Sequence, residues 1–134
     1  MTDVEDYVVD KVAKALRAEF NGIFVVSNDT DAPSKFPAVG FWEQSNVPVA
    51  ATQTAHCREN HTELMFQGSI FSNLTSGGKR QCRAIAAVID REMTKMGFIR
   101  IFGQPVLNPA DTSISRYVLR YKGIVGADGI VYTS

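Results

Sequence analysis

The sequence predicts an α+β fold: one domain spanning residues 1–134, with two helices packed on one face of a mostly antiparallel or mixed sheet of four to six strands. Three observations carry this. Between Lys79 and Met96 the apolar residues Cys82, Ile85, Ala86, Ile89, Met93 and Met96 recur at spacings of three and four, which lines them up on one stripe of an α-helix. Lys79, Arg83, Asp90, Arg91 and Lys95 cover the rest of that helix. Before it, His61 to Phe71 alternates with period two, and after it Phe98–Gln104 and Ser113–Val125 are strand-type runs separated by Pro105, Asn108, Pro109 and Asp111. The expected order is α-β-β-β-α-β-β.

The first helix is expected to start at about Asp3, because Thr2 and Glu5 form a capping box and Asp3, Glu5 and Asp6 suit the positive end of the helix dipole. Val4, Val8, Val12, Ala15, Leu16 and Phe20 supply its buried stripe, and Asn21-Gly22 stops it. Ile23–Val26 is a short apolar run of strand type. Asn28–Pro37 has the Asp, Asn, Ser and Pro content of a loop, and Ala38–Gln44 is a second strand holding Trp42, the only tryptophan, which is expected to pack in the core or at an interface. Ser45–Asn60 is polar and without periodicity, which predicts a long loop that binds something or orders on assembly.

The third strand places Leu64, Phe66, Gly68 and Ile70 on one face and Glu63, Met65, Gln67, Ser69 and Phe71 on the other. For the second helix, Ser76, Gly77 and Gly78 offer a start, and Gly97 suits a left-handed end with Phe98 folding back on Met93. In the last long strand Tyr117, Leu119 and Tyr121 face the core, leaving Ile114, Arg116, Val118, Arg120 and Lys122 on the other side. Asp128-Gly129 is a tight-turn signal that makes residues 126–134 a terminal hairpin or an arm.

The chain has 14 Lys and Arg against 14 Asp and Glu, an even balance that hides a division. Residues 1–78 carry a net charge of −5 and residues 79–122 a net of +6. Such a chain suits contact between copies better than general nucleic-acid binding, although the two halves can also neutralise each other within one fold. No run approaches the roughly 20 apolar residues of a membrane span. The acidic start is unlike a secretory signal, so the sequence is read as intracellular, its two cysteines as free thiols and its three glycosylation sequons as chance.

The chemical motifs are weak. His56, Cys57, His61 and Cys82 hold the atoms for zinc but lack the paired spacing of a structural site. Cys57 beside a histidine lacks the orienting third group of a nucleophile pair. Gly77-Gly78-Lys79 follows a strand and precedes a helix, but Asn73 and Arg80 stand where a phosphate-binding loop needs Gly and Ser or Thr. No catalytic residue, metal or cofactor is expected. Lys79, Arg80 and Arg83 nonetheless crowd the first turn of a helix, where each cation costs about 0.3–1 kcal/mol against the dipole. Local rules broken like this often mark a contact surface, for a neighbouring subunit's acids or for phosphate; the alternative is a solvated and screened start of a helix.

The acidic first helix, the Phe36-Pro37-Ala38-Val39 strand start, the long strand before the central helix, Met96-Gly97-Phe98 closing it, and Arg116-Tyr117 in the final hairpin together resemble phage tail-terminator (tail-completion) proteins. The resemblance covers nearly the whole chain but not the segment after Gly126. It implies a non-enzymatic virion protein of a phage or prophage tail, assembled in the host bacterial cytoplasm. It further implies a sheet with helices packed on it, and a homo-hexameric ring that contacts the tail tube protein and a head-completion protein. Lys79, Arg80, Arg83, Arg116 and Arg120 are the expected interface residues, with no membrane and no specifically bound nucleic acid. The alternative reading is a small nucleic-acid or phosphate-binding module using the same cations.

Overall fold

The computed structural model describes residues 5–27, 35–48, 61–74, 76–107, 114–126 and 131–132. Its elements are α1 (Glu5–Glu19), β1 (Phe24–Val26), β2 (Ala38–Pro48), β3 (His61–Ser72), α2 (Gly78–Lys95), β4 (Ile99–Leu107), β5 (Ser115–Gly126) and β6 (Val131–Tyr132). The strands form one mixed sheet in the order β1-β2-β3-β5-β4, with the short β6 also on β5. The α-β-β-β-α-β-β order expected from the sequence is therefore present, followed by a terminal strand. Only β1 and β2 pair in parallel; every other pairing is antiparallel. Since β3 and β4 both run antiparallel to β5, they are parallel to each other, and α2 is the crossover between them with β5 inserted in the gap.

Both helices lie on the face carrying Val39, Phe41, Leu64, Phe66, Ile70, Leu119 and Tyr121. Val8, Val12 and Leu16 of α1 and Cys82, Ile85, Ala86, Ile89 and Met93 of α2 close the core over it. The Phe66 ring sits at its centre, stacked on Phe41 at 5.7 Å and edge-on to Phe98 at 5.4 Å. Room for Phe98 comes from Gly123, where an added Cβ would lie 2.5 Å from the ring. The tyrosine face of β5 goes inward as expected, with Tyr121 fully buried and Tyr117 packed against the core. Val88 and Ala13 are buried although neither lies on the expected stripes, because α1 packs beside α2 and widens the covered surface of each helix.

Local chemistry explains the element ends. Gly77 caps α2 in the left-handed region (φ 83°) with no side-chain hydrogen bond. Gly97 (φ 92°) ends it, and the Phe98 N–H donates to the Met93 carbonyl at 3.0 Å. Thr2 lies outside the described residues, while the Glu5 carboxylate accepts a 2.8 Å hydrogen bond from the Glu43 backbone N–H. That contact fastens the start of α1 to β2.

One expectation is corrected: Ser45–Pro48 belongs to β2 and is not the start of a loop. A bulge between Glu43 and Ser45 inserts Gln44, which breaks the period-two signal while the ladder to β3 continues to Thr62. Residues 49–60 of the expected loop lie outside the described residues. A second bulge, between Arg100 and Phe102, inserts Ile101 into β4. Both interruptions fall on one cross-sheet row, Glu43–Phe66–Tyr121–Arg100. At the far end β6 pairs Tyr132 with Ile124 and Val131 with Val125, while residues 127–130, which hold the expected tight turn, lie outside the described residues.

Candidate functional site

Of the five expected interface cations, Lys79, Arg83 and Arg116 border one crevice at the start of α2. Lys79, Arg80 and Arg83 stand exposed on the first turns of α2, on the helical side of the sheet. Arg116 and Arg120 project from the opposite face of β5, since their neighbours Tyr117, Leu119 and Tyr121 point into the core. The alternation of β5 places both arginines on that face, from which Arg116 also borders the crevice lined by Lys79 and Arg83.

Arg116 and Arg120 are engaged within their own subunit. Arg116 crosses the buried Phe71 ring at 5.3 Å, and one of its terminal nitrogens donates to Ser69 Oγ at 3.3 Å. Arg120 lies 5.0 Å over the Phe102 ring and donates from Nε to Gln67 Oε1 at 3.1 Å. Gln44, the inserted residue of the β2 bulge, donates to the same oxygen. This face thus carries a band across four strands in which guanidinium groups sit over aromatic rings and donate to Ser69 and Gln67. Half-exposed Trp42 and Met65 flank it. Ser69, Phe71 and Val118 are buried beneath or beside it, in keeping with the expectation that the second face of β3 is not fully wetted.

Lys79, Arg80 and Arg83 differ in having no ion pair among the described residues. Their helix starts hard against β5, because Gly78 has no side chain and a Cβ there would come within 2.8 Å of Ser115 Oγ. Lys79, Cys82 and Arg83 therefore line, with Pro105, Ser115, Arg116 and Tyr117, a crevice of about 10 Å³, room for about one water. The Cys82 thiol is directed to the Ser115 carbonyl at 3.7 Å, and burial pushes its pKa up to about 11. A thiol so held is protonated at neutral pH and poor in nucleophilicity. His56 and Cys57 lie outside the described residues, His61 begins β3, and no cluster of three His, Cys, Asp or Glu side chains suited to a metal occurs among the described residues.

At the other edge of the sheet α1 and β1 border a groove of about 240 Å³, lined by Asp6, Val9, Asp10, Ala13, Arg17, Val25, Val26 and Ser27. Its acids stand in the first half of α1 and Arg17 in the last turn. Asp10 is bridged to Lys14 at 3.0 Å, whereas Asp6 has no ion pair among the described residues. The sheet register relates this groove to the crevice. Val25 pairs with Val39, Val39 with Ile70, Ile70 with Tyr117 and Tyr117 with Pro105, so one row of residues begins in the groove and ends in the crevice.

Charge is partly neutralised inside the fold. Arg91 of α2 bridges Glu19 of α1 at 3.1 Å, and Lys122 approaches Glu63 at 3.8 Å, so cations of the basic segment meet acids of the acidic one. Among the described residues, Asp6, Lys11 and Arg17 of α1 and Lys79, Arg80 and Arg83 of α2 have no ion pair. No helix among the described residues is long and apolar enough to cross a membrane.

No family model and no curated protein matches the chain. Its function is therefore argued from this geometry and from the sequence. The α1–β1 groove was not singled out by sequence reasoning, although Asp6 and Asp10 beside a three-residue strand were its available signal.

Proposed function

We propose that this chain is a structural subunit of a phage or prophage tail, a tail terminator that caps the tail tube as a ring of identical copies and presents a surface for head joining. The observation that carries the reading is the pair of unlike sheet edges: β1 beside a groove lined by Asp6, Asp10 and Arg17, β4 beside Lys79 and Arg83, which have no ion pair among the described residues. A ring built head to tail needs two different complementary patches on every copy, which these edges supply. The mixed sheet with both helices on one face also agrees with the architecture that the sequence resemblance implies. Six copies, the tail tube partner and the head-completion partner rest on that resemblance alone.

Deleting the gene from its phage or prophage and imaging the particles tests the proposal. We expect tubes that are uncapped or irregular in length, with the protein located at the tail end in the wild type. Capped tails of normal length in the deletion would refute it.

One observation favours the second reading, a phosphate or nucleic-acid module: three unpaired cations on one helix start. Three of the five residues it would use, Lys79, Arg83 and Arg116, border one crevice, while Arg116 and Arg120 also bond to side chains of the sheet. Binding to DNA or RNA that weakens steeply with salt and with loss of Lys79, Arg80 or Arg83 would support it. We expect no specific complex near physiological salt.

A further inference from the structure

From the charge and register of the two edges we infer that Lys79 and Arg83 of one copy dock against the groove between α1 and β1 of the next copy, at Asp6 and Asp10 in the first half of α1, Arg17 standing in its last turn. This rests on the ring reading above and names the surfaces that would build it. The occupant is a second copy of this chain.

Taken in order across the sheet, β1 and β2 run one way, β3 the other, β5 with the first pair and β4 against it. When two copies stand side by side in the same orientation, as rotation about a ring axis requires, β4 of one and β1 of the next face each other as antiparallel neighbours. The row that joins Val25 to Pro105 then runs toward the corresponding row of the neighbour. It brings the crevice lined by Lys79, Arg83 and Pro105 to the level of the groove lined by Asp6, Asp10 and Val25.

The contact is carried by side chains more than by a backbone ladder. β1 has three residues, while β4 contains Pro105, which lacks an N–H, and the Ile101 bulge, both of which blunt an edge against strand addition. Apolar surface is nonetheless present on both sides. Val9, Ala13 and Val25 line the groove, and Ile99 and Ile101 of β4 are 44% and 49% exposed.

Two variants test this without altering the core. Asp6→Lys with Asp10→Lys turns the groove basic, and Lys79→Glu with Arg83→Glu turns the helix start acidic. Either variant alone then presents like charges at both edges. Mixed in equal amounts they regain opposite charges at every contact, but only if the two kinds alternate around the assembly. We expect each variant alone to be monomeric by light scattering at low salt, and the mixture to form assemblies with an even number of chains that dissociate as salt is added. Circular dichroism and thermal melts of each variant establish that it is folded.

A folded pair whose mixture stays monomeric overturns the docking, whatever the wild type does. A wild-type ring that persists in either variant also overturns it, yet leaves the ring itself standing. The ring reading falls separately, on tails that hold no copies of this protein.

Discussion

Tyr121 donates its phenolic hydrogen to Asp90 Oδ1 across 3.1 Å, tying the middle of β5 to α2 over a ring that is fully buried. Burial and the nearby Asp90 carboxylate both push the phenol pKa well above its ordinary value, so Tyr121 remains a donor throughout the pH range in which the protein works. Tyr121→Phe keeps the ring and removes the hydrogen bond. The expected loss is about 1–2 kcal/mol, moderated because Asp90 is half-exposed and regains water. Denaturant titration should show a lower midpoint with an unchanged slope, and a midpoint equal to wild type would show that water replaces the bond without cost.

Cys82 predicts a dependence on alkaline pH. Its folded pKa of about 11 lies above the ordinary value of 9.0, so between these limits the unfolded thiol loses its proton while the folded one keeps it. The folded state then binds more protons and stability falls as pH rises, by about 1.4 kcal/mol per pH unit at most. Below pH 9 this contribution is flat. Melts of wild type and Cys82→Ala from pH 8 to 11 should converge across that window, because the variant lacks this part of the slope; parallel curves would count against it.

Gly123→Ala should be costly for a steric reason. The new methyl would meet the Phe98 ring at 2.5 Å, which forces Phe98 off its edge-on contact with Phe66. Overpacking of this kind costs about 1–3 kcal/mol. Adding Phe98→Leu should restore part of the loss, and an additive double variant would mean that the backbone, not the ring, had yielded.

The two groups of cations should respond in opposite ways. Arg120→Ala loses a hydrogen bond to Gln67 and the contact with Phe102, a cost of about 1–2 kcal/mol. Lys79→Gln removes a charge that opposes the α2 dipole, so the subunit's stability should stay level or rise by about 0.3–1 kcal/mol. Chemical denaturation of both variants decides the point: equal losses would mean that Lys79 also supports the fold.

The helices and long strands were legible because each buries one face and so carries a clear period. The direction of β1 was not, since three apolar residues have no period, and the eleven residues between Val26 and Ala38 can serve either a hairpin or a returning crossover. The end of β2 was hidden by its bulge, because Gln44 shifts the alternation that reveals a strand. For the site, sequence identified the cations of α2 through the dipole they oppose. Of Arg116 and Arg120, which sequence grouped with them by charge, Arg116 borders the same crevice, whereas the face of the sheet that each takes follows only from strand parity. The groove depends on α1 lying beside an edge whose position only the strand order establishes.

The two bulges share a consequence. Gln44 and Ile101 are each one residue more than their partner strand supplies, and each sits in an outer strand at the Glu43–Phe66–Tyr121–Arg100 row. Excising either would leave the pairs on both sides of it, and the faces their side chains take, as they are; excising Gln44 would also forfeit its bond to Gln67. What would change is the bend and extra twist that a bulge imposes on its strand. The curvature of the sheet is thus encoded in chain length at two positions, and shortening or keeping those positions would tune it independently of the core that the sheet supports.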